Sequence, residues 1–349
     1  MENISFITGG AGFIGSNFIL RWLKNETGKI VNIDKMTYAG NPYFLTEMEK
    51  ESRHIHEKVD IADRDRLLPL FRDYRPKTVI HFAGESHVDR SITDPSPFLH
   101  TNIIGTFTLL EAVRHYFFQL LSHEDQQDFR FLHISTDEVF GSLNLQHNEK
   151  FTETSCYEPS TPYAASKASG DHLVRAWQKT YRLPTISVHC SNNYGQRQSP
   201  EKLIPKTIIN ILNGNPMTVY GDGLHRRNWL YVDDCCDAIY QVWKQGRIGE
   251  RYNIGGFTEK NVLSVIETIY NFMKETGIRV VLPIWDFIRL TSDRPGNDRC
   301  YALNSEKIKT ELGWEPVTDF DTGIKRTIDW YQEHRDWLNE AADRNQNVF

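Results

Sequence analysis

The 349-residue chain is long enough for one large or two smaller domains, and its 39% hydrophobic and 25% charged residues are ordinary for a globular protein. A net charge of −6 with no long basic block argues against non-specific nucleic-acid binding, and apolar runs such as the one from Val79 to Ala83 are far too short to cross a bilayer. The five cysteines (Cys156, Cys190, Cys235, Cys236, Cys300) lack zinc-like or redox-like spacing, and no His-Glu-x-x-His occurs, so we expect no metal and reduced thiols in a cytoplasmic protein.

The first predicted strand, residues 4–8, begins almost at once and leaves no room for a secretory leader. It runs into Gly9-Gly10-Ala11-Gly12-Phe13-Ile14-Gly15 and a predicted helix, 13–24. Glycines there allow a tight turn and let backbone N–H groups at the helix N-terminus approach a pyrophosphate. A second strand, 29–34, ends on Asp34, nineteen residues after Gly15. A carboxylate at that point accepts hydrogen bonds from ribose hydroxyls and repels a 2′-phosphate, which predicts NAD over NADP, although the adjacent Lys35 works against it. Asp60-Ile61, after a third strand at 54–58, is placed to meet the adenine.

Further strands at 78–83, 129–136 and 185–189 alternate with helices at 64–74, 98–118 and 163–180. Continuous apolar strands separated by helices specify an α/β protein with a Rossmann-type, doubly wound parallel sheet covered on both faces. Beyond residue 190 turns such as Gly214-Asn215-Pro216 and Gly221-Asp222-Gly223 break the pattern. Residues 1–190 are therefore expected to form the cofactor domain, with some later segments returning to it. Residues 191–349 should form mainly a smaller, non-contiguous α/β substrate lobe.

Two short motifs carry the chemistry. Pro162 suits the first turn of a helix, and Ser160 or Thr161 can cap it. Tyr163 and Lys167 then lie one turn apart on one face. A free tyrosine ionises near ~10, and a neighbouring ammonium together with a bound nicotinamide cation should lower that value enough for a general base. Thr136-Asp137-Glu138 closes the strand at 129–136, so these side chains should emerge in the crevice beyond the sheet. Thr136 can hydrogen-bond a hydroxyl undergoing oxidation. Asp137 and Glu138 can divide acid and base duties if their pKa values are pushed apart; the alternative is a solvated acidic pair at a helix N-cap.

With these residues in place the chain resembles the extended short-chain dehydrogenase/reductase family and, within it, the dTDP-glucose 4,6-dehydratases. The likeness covers nearly the whole length. It runs through residues 8–15 and 33–41, Glu85-Ser86-His87-Val88-Asp89-Arg90-Ser91, Ser135-Thr136-Asp137-Glu138-Val139, Tyr163-Ala164-Ala165-Ser166-Lys167, Ser191-Asn192-Asn193-Tyr194-Gly195 and Asp293-Arg294-Pro295-Gly296. The resemblance implies a tightly held NAD, recycled in each turnover, and an internal redox elimination on dTDP-glucose. The implied sequence is oxidation at C4 with Tyr163 as base, loss of water across C5 and C6 with Glu138 as base and Asp137 as acid, and return of hydride to C6. The implied product is dTDP-4-keto-6-deoxyglucose. Related alternatives are a 4,6-dehydratase of a UDP- or CDP-hexose, or a nucleotide-sugar 4-epimerase or decarboxylase.

The same resemblance places Thr37, Phe82, Ala83, Glu85, Thr101 and Asn193 around the cofactor with Gly9, Gly12, Phe13, Ile14 and Gly15. It places Ser86, Thr136 and Asn192 near the hexose. Around the pyrophosphate and nucleoside it implies Lys202, Leu203, Thr218, Tyr220, Arg227, Asn261, Arg294 and Asn297. Arg227 suits that work chemically, because a guanidinium grips a diphosphate through two parallel hydrogen bonds. A homodimer is implied as well, formed through the helices at 98–118 and 163–180.

Overall fold

The computed structural model describes residues 3–145, 149–335 and 337. Seven parallel strands build the main sheet: β1 (Ile4–Thr8), β2 (Lys29–Ile33), β3 (His54–Glu57), β4 (Thr78–His81), β5 (Arg130–Thr136), β6 (Thr185–Cys190) and, after β7 (Asn192–Tyr194), β8 (Met217–Tyr220) and β9 (Arg226–Tyr231), also β10 (Arg251–Ile254). Their order is β10-β6-β5-β4-β1-β2-β3. The chain leaves β1 toward β2 and β3 and then crosses back to β4 on the other side, so a crevice opens at the carboxyl ends of β1 and β4. Ligands of open α/β sheets bind at such a reversal. Glycine is required there: Gly9 has φ +72°, and a Cβ on it would stand 2.5 Å from the Ala83 nitrogen.

Helices cover both faces because both faces are apolar. On one side Phe18, Trp22, Ile239 and Val242 pack over Ile7, Ile80 and Ile186; on the other Phe71, Leu109, Tyr116 and Val174 cover Phe6, Val79 and Phe131. The first cluster continues without a break into Ile266, Ile269, Ile324 and Tyr331 of the later chain. Each such side chain contributes about 1.5–3 kcal/mol when removed from water. That continuity is why no linker marks a boundary in the sequence.

The later residues also form two small sheets. One has the order β11-β9-β7, with β11 at Thr258–Asn261, and the other pairs β12 (Ile288–Thr291) with β8. Most predicted boundaries shift by a residue or two, and some of the shifts matter. Asp34 falls just past β2, Phe82 and Ala83 lie beyond β4, and the helix predicted over 98–118 is interrupted by a π-helical turn, Leu99–Gly105, before Thr106–Gln119. Such wide turns gather at functional sites. This one directs Thr101 to Lys35 and Asn102 to the backbone of Glu85. Among the described residues no helix is long and apolar enough to cross a membrane.

Candidate active site

The glycine loop leads directly into the helix Phe13–Asn25, whose N-cap is Gly12, with no side chain over it. A Cβ at Gly15 would come within 2.3 Å of the Gly9 carbonyl oxygen, so the loop and helix touch backbone to backbone. This is a cradle that a side chain would fill, as a dinucleotide requires. Gly9, Gly12, Phe13, Ile14, Gly15, Asp34, Lys35, Thr37, Asp60, Ile61, Phe82, Ala83, Glu85, Thr101, Tyr163 and Lys167 line one continuous crevice, with Ser86 and Lys202 at its far end. Asn193 stands apart from that lining: its amide donates to the Ser191 carbonyl, and its Oδ1 is buried without a partner.

Asp34 is held rigidly. Its two oxygens accept from Ala11 N at 2.9 Å and Met36 N at 2.8 Å. Burial raises its pKa, and those hydrogen bonds act against the rise. The structure also resolves the conflict over Lys35. Its ammonium donates to Thr101 Oγ1 at 2.9 Å and faces Asp60 Oδ2 at 3.2 Å, so a carboxylate already balances it. NADP should therefore bind at least ~10-fold more weakly than NAD in equilibrium titration, and Asp34→Ala should narrow that gap.

The proton-transfer groups gather at the end of β5. Thr136 caps the short turn Asp137–Phe140 by accepting from Glu138 N at 3.3 Å, and its hydroxyl donates to Asp137 Oδ1 at 3.2 Å. Asp137 is 1% exposed, and its second oxygen has no partner. Burial, and then the neighbouring Glu138, push its pKa up to about 8. Burial raises Glu138 too, but Arg227, Arg294 and Lys202 all pull it back toward the ionised form. One carboxyl is thus kept as an acid, while its neighbour faces three cations. The solvated N-cap alternative does not describe this pair.

Tyr163 is buried, its ring edge-on to Phe98 with centroids 6.3 Å apart. Burial and the charge of Glu138 raise its phenol pKa well above the ordinary value, against a weaker pull from Thr136. The expected lowering was for the site with a nicotinamide cation bound; in the protein by itself Lys167 turns its ammonium to the Ile134 carbonyl at 2.8 Å, and burial weakens its charged form.

Thr136 ends β5, and Ser86 and Asn192 follow the carboxyl ends of the neighbouring strands β4 and β6. Asn192 keeps a buried Oδ1 without a partner. The Ser86 carbonyl accepts from Lys202 Nζ at 3.0 Å. Lys202 caps the helix Leu203–Asn213, and Leu203 packs partly against the main core. Thr218 and Tyr220 share the exposed face of β8. Tyr220, Arg227, Arg294 and Asn297 belong to one polar network. Asn297 Oδ1 accepts from Arg227 at 3.1 Å and Arg294 at 3.2 Å, while Asp89 accepts from Arg294 at 2.9 Å and Tyr220 at 3.2 Å. The Arg227 guanidinium lies 4.3 Å from the centre of the Tyr301 ring.

Asn261 is placed otherwise. Its Oδ1 accepts from Ser264 N at 2.8 Å and caps the helix Val262–Glu275, which is a structural task. Residues that the sequence did not single out also join the site, among them Asp89, which pairs with Arg294 and Tyr220, and Arg197 and Trp337, which line the crevice. Asp89 lies within the Glu85–Ser91 segment; nothing local marks the other two, which arrive from remote parts of the chain.

The family model described as GDP-mannose 4,6 dehydratase matches residues 6–327. The dTDP-glucose 4,6-dehydratase of Neisseria gonorrhoeae is 50% identical over 332 residues, covering 94% of this chain and 95% of that protein. Among solved structures, DesIV, a dTDP-glucose 4,6-dehydratase from Streptomyces venezuelae with NAD and TYD bound, superposes with a TM-score of 0.87 at 38% identity, covering 97% and 99% of the two chains. The dTDP-glucose 4,6-dehydratase of Bacillus anthracis in complex with NAD gives 0.85 at 39% identity over the same shares.

Proposed function

This chain belongs to the dTDP-glucose 4,6-dehydratases of the extended short-chain dehydrogenase/reductase family, and from that premise we propose how its residues share the work. It is a hydro-lyase that converts dTDP-glucose into dTDP-4-keto-6-deoxyglucose with NAD as cofactor. The observation that carries the residue roles is the Asp137–Glu138 pair at the end of β5, where Asp137 is buried with one oxygen unpartnered and burial pushes its pKa up, while Arg227, Arg294 and Lys202 pull on Glu138.

The glycine loop, Asp34 and Lys167 hold the dinucleotide, which when bound supplies the redox chemistry by taking a hydride from C4 and giving it back at C6. Tyr163 takes the proton of the sugar 4-hydroxyl, and Thr136 orients that hydroxyl. A ketone at C4 acidifies the C5 hydrogen, which Glu138 removes as a proton and gives back to C5 as hydride reaches C6. Asp137 donates its proton to the C6 hydroxyl, which departs as water. A 4-epimerase or decarboxylase has no use for an acid at C6, and the protonated Asp137 favours the dehydratase. Arg227 and Arg294 take the diphosphate as a charged fork, and residues 191–349 serve mainly as the nucleotide-sugar lobe.

Incubation with dTDP-, UDP- and CDP-glucose, read by the alkali-induced absorbance of a 4-keto-6-deoxy product, tests the reading. The dTDP-sugar should show kcat/KM at least ~10-fold above the others. No product from any of them would end the reading.

A homodimer is part of the proposal. Leu99, Ile104, Phe107, Phe118 and Tyr181 leave large apolar surfaces in water along the two helical segments that flank Trp177. Such a patch supports pairing with a second copy. Light scattering should give twice the monomer mass, and Phe107→Asp should shift it toward the monomer. The dispersed, unpaired cysteines support a reducing compartment, the cytoplasm.

A further inference from the structure

One buried anion takes no part in these proton transfers. Asp171 lies one turn beyond Lys167, so Tyr163, Lys167 and Asp171 form a stripe along the helix Pro162–Tyr181. It is 4% exposed, yet its carboxylate accepts from four donors: His133 Nε2 at 3.0 Å, Ser135 Oγ at 2.9 Å, Tyr157 OH at 2.9 Å and His189 Nε2 at 3.1 Å. A carboxylate buried without partners would take up a proton instead. Here burial acts to raise the pKa, and the hydrogen bonds from His133 and His189 overcome it and leave the group well below the usual carboxylate range.

The strand beneath connects this anion to Lys167. His133 and Ser135 project from one face of β5 toward Asp171, and the residue between them, Ile134, offers its carbonyl to the Lys167 ammonium at 2.8 Å. Three consecutive residues of β5 thus fix both charges. We propose that Asp171 is a positioning residue for the reaction, the fixed counter-charge that holds Lys167 in place as an ammonium beside Tyr163.

The groups facing Lys167 come from every neighbouring element: Tyr163 and Asp171 from its own helix, His81 from β4, His133 from β5 and Cys190 from β6. Burial drives both histidines toward the neutral form, with the charge of Lys167 adding to the effect. The Cys190 thiol is driven upward by its hydrogen bond with Cys235 and by burial, and so stays neutral. Tyr163 is raised as well. At neutral pH Asp171 is the one ionised partner in this group. Burial works against the Lys167 ammonium, and Asp171 is the first group to oppose that.

The inference rests on the role given to Lys167 above, and the test separates the two. Turnover of dTDP-glucose by the unaltered protein tests the reading by itself. Asp171→Asn keeps the side-chain shape, removes the charge and turns one accepting oxygen into a donor. Its kcat should fall about 10–100-fold with a smaller change in KM, and the alkaline limb of the sugar-oxidation step, read in a single turnover ahead of the elimination that Asp137 governs, should move down by about one unit, because Lys167 then loses its proton more readily. Loss of activity with both limbs unmoved would make Asp171 a structural hub and overturn the proposal. If the variant does not fold, competitive amine labelling of the unaltered protein across pH decides without any turnover. Lys167 still protonated at about pH 8 supports the proposal, and a free amine at about pH 7 overturns it.

Discussion

Tyr163→Phe should show no build-up of reduced nicotinamide on mixing with dTDP-glucose, with kcat lowered about 10²–10⁴-fold, while Glu138→Gln should build it up and then stall. The two substitutions separate because the groups act on different atoms. Without the phenol oxygen, nothing takes the 4-hydroxyl proton, so the sugar is never oxidised. With Gln at 138 the oxidation proceeds, but no base removes the C5 hydrogen, and solvent hydrogen exchange at C5 should slow by a similar factor. The cations that oppose the burial of Glu138, Arg227, Arg294 and Lys202, come from outside its own turn, so Gln leaves the local backbone undisturbed. Stopped-flow absorbance of the reduced cofactor, paired with deuterium incorporation at C5, distinguishes the variants. Equal loss of both steps in both proteins would show that the roles are wrongly divided.

Asp137→Asn should also pass the oxidation and fail at the elimination, with kcat lowered about 10²–10⁴-fold, because an amide cannot donate the proton that carries water away from C6. The acid form of Asp137 exists below about pH 8, so the elimination rate of the unaltered protein should decline as pH rises through that value. The same substitution should stabilise the fold. Asp137 has a folded pKa raised from 3.8 to about 8, so the folded chain binds the extra proton in that window. Its favourable contribution is complete below about pH 4 and is lost as pH rises to about 8. Asn carries no such dependence. The melting temperature of Asp137→Asn should therefore exceed that of the unaltered protein by an amount that grows from about pH 4 to about pH 8, reaching a few kcal/mol in stability. An equal difference at all pH values would show that Asp137 is not buried as an acid. A gain in stability with a loss in activity is the usual signature of a site held under electrostatic cost.

Much of this site was legible in the sequence because the relevant information is local. A strand followed by glycines and a helix dictates a close backbone approach, and Gly9 and Gly15 occupy positions that no side chain tolerates. A spacing of four on a helix places Tyr163 and Lys167 on one face whatever surrounds them. An acidic pair directly after a central strand emerges at the carboxyl edge of a parallel sheet. Fold class and cofactor crevice follow from such short-range rules, and so does the placement of the residues proposed for proton transfer.

Other features were decided only when distant segments met. Nothing local indicates that Asp137 keeps its proton while Glu138 faces cations, since that depends on burial and on Arg227, Arg294 and Lys202. Lys35 weighed slightly against a preference for NAD over NADP until Asp60 and Thr101 folded onto it, and the helix cap made by Asn261 also appears only in the fold. The burial that raises the Tyr163 pKa in the protein by itself likewise depends on the whole fold. Periodicity and turn chemistry act between near neighbours and can be read along the chain, whereas desolvation and charge fields sum over atoms that only the folded protein brings within a few ångströms.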